Sequence, residues 1–148
     1  MAVFIKFQDF VEQLGKGVHQ LHAAGHTLKV ALTNSAPVNT NTVFANITEI
    51  SAGNGYTAGG ADIQNDWSET SGTATCTAVD VTFTASGGTI GPFRYAVVYN
   101  DTPTSPADPL VGYYDYGSSI TLADGESLLV DFGASFFTIA SSMSTVVS

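Results

Sequence analysis

The sequence predicts an all-β fold, a jelly-roll-like β-sandwich of about eight strands with a short N-terminal helix or arm, and three observations carry that expectation. Threonine, serine and glycine number 18, 14 and 15 among 148 residues, a composition suited to strand surfaces and tight turns. Charged residues are 11% of the chain, against about 25% in an ordinary globular domain, so Glu–Lys pairs at i,i+4 spacing cannot clothe many helices. Short β-branched and aromatic runs recur, each bounded by Gly, Pro, Asn or Asp. A chain this long fits one domain, residues 1–148, and hides roughly 70% of its unfolded surface without a staple.

In chain order, residues 1–22 read as an N-terminal arm or helix and a first strand. Phe7, Phe10, Val11, Leu14 and Val18 fall on a 3.6-residue stripe, which predicts a helix over 7–14; Gly15 and Gly17 weaken it, and a strand is expected over 18–21. Residues 28–33 alternate until Asn34-Ser35-Ala36-Pro37 stops them. Residues 49–75 are rich in Gly, Ser and Thr and read as a long surface loop, where contacts to partners usually lie. In 75–84, Val79, Val81 and Phe83 share one face and Asp80, Thr82 and Thr84 the other, which places Cys76 in the outward phase. Strands are expected at 93–99, 110–116, 127–132 and 136–139, with Asp124-Gly125 and Gly133 as turns. That spacing fits a sandwich or jelly roll better than a β/α fold.

Charge and cysteine content remove several function classes. Lys6, Lys16, Lys29 and Arg94 oppose thirteen carboxylates, for a net charge of −9; four scattered cations on an acidic chain predict no direct nucleic-acid contact. Cys76 is alone, so no intrachain disulfide forms. No apolar run approaches the roughly 20 residues of a membrane span, and the start has no signal-peptide pattern, so synthesis and folding in the cytoplasm are expected.

No catalytic constellation emerges, and no cofactor or metal is expected. His19, His22 and His26 could converge on a metal from a helix, but Gly25 and the strand expected there favour polar residues around a turn. Cys76 has no neighbouring base or cation to make a thiolate. Asp115, Asp124, Glu126 and Asp131 could form an acid/base pair, yet their spacing reads as turns and outward strand positions. Asp62, Asp66, Asp101 and Asp108 lie in loops that could bridge calcium. The glycines around Gly55 lack the Lys-Ser/Thr end of a phosphate loop, and Gly117-Ser118-Ser119 lacks the strand–Ser–helix setting of a hydrolase elbow. Tyr113, Tyr114 and Tyr116 are too close together for all to face one core, so some are expected outside, as protein contacts. Tyr56 on its glycine-rich support, and Phe4, Ile5 and Phe7 crowded near a chain end, complete the residues expected to touch a partner.

Four stretches resemble the small capsid cement, or decoration, proteins of tailed bacteriophages: LKVALTNSAP at 28–37, ITEISAGNGYTAGG at 47–60, GPFRYAVVYND at 91–101 and GYYDYGSSITL at 112–122. Such proteins, as the resemblance implies, adopt jelly-roll or related sandwiches and assemble as homodimers or homotrimers over joints between major capsid subunits, with no catalytic residues. The expected location is then the outer capsid surface of a virion. The alternative is a tail- or fibre-associated protein that binds a host receptor or carbohydrate through Tyr113, Tyr114 and Asp115.

Overall fold

In the computed structural model, residues 2–140 are described, and they form an all-β chain of several antiparallel sheets with one short helix. The largest sheet has the order β1-β8-β7-β2-β3, from β1 (Phe4–Lys6), β2 (Leu28–Thr33), β3 (Ala61–Asp62), β7 (Ile90–Asn100) and β8 (Leu110–Leu122). Its centre is β7, apolar on both faces, because Phe93, Ala96 and Val98 alternate with Tyr95, Val97 and Tyr99 and all six are buried. A strand of that kind must be covered twice.

Two clusters supply the covers. Leu28, Val30, Leu32, Phe93, Ala96 and Val98 pack into the main core with Phe10, Ile63, Phe83, Val130 and Phe132. On the opposite face Ala31, Val97, Tyr99 and Leu110 pack with Phe7, and Phe44, Ile47 and Tyr113 close over them. The Phe44 and Tyr99 rings stack at 4.0 Å between centroids. A three-stranded sheet, order β10-β5-β4, and a two-stranded pair, β6 with β9, complete the architecture; these are β4 (Asp66–Thr70), β5 (Thr73–Thr77), β6 (Val81–Thr84), β9 (Ser127–Val130) and β10 (Phe137–Ala140).

The expected helix is present as α1 (Asp9–Gly15) with Phe10 buried, and the later strands fall close to their expected places. Four expectations need correction. Residues 18–21 form no strand: His19 and Leu21 point inward, but the backbone has no ladder partner. The expected strand over 75–84 is broken into β5 and β6 where Val79 donates its N–H to Ile63 O at 2.8 Å, and Val79 is 52% exposed rather than core. The break resets the alternation, so Cys76 lies inside, fully buried. Residues 49–75 are not one surface loop; they contain β3 and the hairpin β4–β5, and Tyr56, Ile63 and Asn65 are buried. The described residues hold ten strands where about eight were expected.

Gly60 shows why the glycine run is there. Its φ is +80°, and an added Cβ would collide with the Val30 carbonyl of β2, so both conformation and contact demand glycine. Gly60→Ala is expected to cost at least about 2 kcal/mol and to lower the thermal midpoint by about 4–8 °C; an unchanged melt by circular dichroism would contradict this packing.

Candidate functional site

The residues expected to meet a partner divide sharply by accessibility. Phe7 has no exposed surface and Tyr56 only 2%; neither offers a free ring, which corrects both expectations. Phe4 is half-buried, its ring 5.2 Å from those of both Tyr114 and Phe136, and it lies where any side chain on Gly112 would have to go. Strand β1 is thus built into its own sheet, pairing Phe4, Ile5 and Lys6 with Tyr114, Tyr113 and Gly112. Ile5 stays open, at 39% exposure.

Tyr114 is buried, while Tyr113 and Tyr116 are half-buried. The alternation argument that placed some of the three in solvent fails because both faces of β8 are covered. Tyr113 lies on the Phe7 side, 5.2 Å from that ring, and Tyr114 on the main-core side, 6.0 Å from Phe132. Burial pushes the Tyr116 phenol up to about 12 and the Tyr114 phenol upward as well. A cavity of about 390 Å³ opens beside them, lined by Ala2, Tyr114, Asp115, Tyr116, Leu129 and Asp131 among others.

Tyr56 instead secures the free margin of β2. Strand β3 pairs only with Lys29 and Val30, so Leu32 and Thr33 need other partners. Leu32 N donates to Tyr56 Oη at 3.0 Å, Ile50 N donates to Leu32 O at 3.0 Å, and Thr33 Oγ1 donates to Thr48 O. Tyr56 in turn donates to Glu49 Oε2 at 2.6 Å, an oxygen that also accepts from Gly59 N at 2.7 Å. Burial, then the bond to Glu49, raises the Tyr56 phenol well above its ordinary range.

The histidines join a polar network that sequence reasoning missed. Asn100, fully buried at the end of β7, accepts from Thr102 N on Oδ1 at 3.2 Å. That orientation turns its amide nitrogen to His19 Nδ1 at 3.1 Å and His26 Nδ1 at 3.0 Å, and both rings accept, hence are neutral. Asn65 donates to Leu21 O at 2.8 Å and His26 O at 3.1 Å and accepts from Leu28 N at 3.0 Å. His22 takes no part in this hub. His19 Nε2 is buried without a hydrogen-bond partner. Neither Asn sits in a motif; an Asn closing an apolar strand run, as Asn100 does, was the available signal.

Most of the remaining carboxylate candidates have local partners. Burial pushes the Cys76 thiol up to about 12, far from a reactive thiolate. Asp115 holds Arg94 through two contacts, 2.8 and 3.2 Å, and that guanidinium, followed by Gly117 N–H, lowers its carboxyl. Asp124, Glu126 and Asp131 accept backbone N–H groups of Gly87, Ala123 and Gly133. Of the aspartates expected in loops, Asp62 ends β3 and accepts from Gln64 N, Asp66 opens β4 and accepts from Ala23 N and Trp67 N, and Asp101 pairs with Lys29 at 3.1 Å. Among the described residues no three His, Cys, Asp or Glu side chains are grouped to hold a metal. No helix described is long and apolar enough to cross a membrane. No family model, curated protein or solved structure matches the chain.

Two measurements test this geometry. Tyr56→Phe leaves the buried Leu32 N–H without its acceptor, and a loss of about 1–3 kcal/mol in urea unfolding is expected. His19 is held near pKa 4, by burial first and His26 second, whereas the unfolded chain protonates near 6.5. Protons therefore bind the unfolded state first, and stability falls from about pH 6.5 down to about 4, by roughly 3 kcal/mol. Urea midpoints from pH 7 to 4 are expected to fall less steeply in His19→Asn than in the parent; equal slopes would contradict the assignment.

Proposed function

We propose that the chain is a non-enzymatic virion structural protein of a tailed bacteriophage, a cement protein on the outer capsid surface that stabilises contacts between major capsid subunits. The observation that carries this reading is the resemblance of four stretches to such proteins. They fall on β2, on the segment that covers its margin, on β7 and on β8, so the likeness concerns one sheet and its cover rather than a local motif. In this reading the packed sheets form a jelly-roll-like sandwich, and the partners are the major capsid protein and further copies of the chain.

The physics suits the task. Shell joints are held by many weak contacts, and a rigid module bridging two subunits adds area and multivalency at each. An acidic surface avoids the genome.

One observation favours a second reading, a tail- or fibre-associated protein that binds a receptor or carbohydrate: the cavity of about 390 Å³ brings Tyr114 and Tyr116 together with Asp115 and Asp131. The half-buried Tyr116 beside these carboxylates can stack on and hydrogen-bond a sugar. Mass spectrometry of gradient-banded particles is expected to detect the protein, and gold-labelled antibody to decorate heads. Absence from particles would overturn both readings, and labelled tails would replace the first with the second.

A further inference from the structure

Strand β10 pairs with β5 along one side, Phe137–Ala140 against Cys76–Thr73. Among the described residues no strand pairs with its other side. That open side looks into a groove of about 370 Å³, lined by all four residues of β10 together with Phe4, Lys6, Phe10, Val11 and Val111. Side chains alternate across a strand, so four consecutive residues can line one groove only if the strand presents its edge to it. The Cys76 carbonyl faces β10, accepting from Phe136 N–H at 3.1 Å, and Cys76 is in register with Phe137, so Phe137 and Ile139 face β5 and alternation turns the N–H groups of Thr138 and Ala140 toward the groove.

Exposed strand edges are normally blunted by charge, proline or bulges. Here β4 carries Asp66 and Glu69, β3 carries Asp62, β1 carries Lys6, and the β6–β9 pair is flanked by Asp80, Glu126 and Asp131. Strand β10 has no such guard, and residues 132–148 contain no Asp, Glu, Lys or Arg. Its floor is apolar, with Val11 51% and Ile139 36% exposed.

We propose that the open edge of β10 pairs with β10 of a second copy, antiparallel about a two-fold axis, joining two three-stranded sheets into one of six strands. Charge selects this occupant. Two copies, each at −9, repel wherever carboxylates meet, and β10 is a free edge that brings none. Among the described residues Lys6 is the one charge lining the groove, so no carboxylate there opposes a second acidic copy. An isologous contact of this kind closes on itself and does not grow into fibres. The tyrosine strand expected to serve is unavailable, because Tyr113 and Tyr114 are already paired on both sides, with β1 and β7.

This proposal rests on the self-association included in the functional reading, and sedimentation equilibrium separates the two. The parent protein is expected to dimerise between about 10 and 500 μM. Ile139→Lys is expected to weaken dimerisation at least tenfold, to roughly the monomer range, while Leu129→Lys, at a comparably exposed site away from β10, leaves it unchanged. Circular dichroism melts check that both variants fold. Independently of any variant, amide exchange at Thr138 and Ala140 in the parent should slow about tenfold across that concentration range. A parent that dimerises with Ile139→Lys unaffected and those amides unprotected overturns the β10 assignment and leaves self-association standing. A parent that is monomeric at about 500 μM overturns self-association as well, whether or not the protein is found in virions.

Discussion

The requirement that both faces of β7 be covered organises the rest of this structure. Its centre carries Ala96 and Val98 toward one side and Tyr95, Val97 and Tyr99 toward the other, with none left to solvent. A strand buried on both faces cannot lie at a margin, so β2 and β8 flank it. Each flank then has a free side of its own to satisfy. The chain resolves this with short pieces: β1 along β8, β3 along the first part of β2, and the Tyr56–Glu49 bond network along the remainder. The second cover, Phe7 with Phe44 and Ile47, is made from segments that have little regular structure.

Several features were legible because they depend on local pattern. The places of α1, β2, β7, β8 and β9 were readable from the sequence, although Val11 of the helical stripe is exposed and Phe7 packs in the second cluster. What was not legible depends on tertiary contact. Nothing local shows that residues 49–60 fold back onto β2, so Tyr56 resembled an exposed anchor on a flexible support. Likewise a strand broken at Val79 inverts the phase of Cys76, and periodicity carries no mark of the break. The expectation that some of Tyr113, Tyr114 and Tyr116 lie outside assumes one core, whereas the sheet has one on each face. No motif marks the Asn65 and Asn100 hubs: Asn100 shows only as an Asn closing the apolar run of β7, and the buried amide of Asn65 has no sequence signature at all.

These differences move the accessible chemistry of the molecule. The aromatic side chains that looked available for contacts hold the sheets together, and the open features are a strand edge, an apolar groove and a tyrosine–carboxylate cavity. The polar hub of His19, His26 and Asn100 ties the segment after α1 to the end of β7.

The central claim, that β7 and its two neighbours form the last part of the molecule to come apart, is tested most directly by native-state hydrogen exchange in increasing denaturant. The amides of Ala31, Val97 and Val98 are expected to exchange only through global unfolding, with opening free energies equal to the unfolding free energy, while those of β6, β9 and β10 open at lower cost. If β6 or β10 proves the slowest-exchanging element and β7 opens earlier, the doubly covered strand is not what the fold depends on.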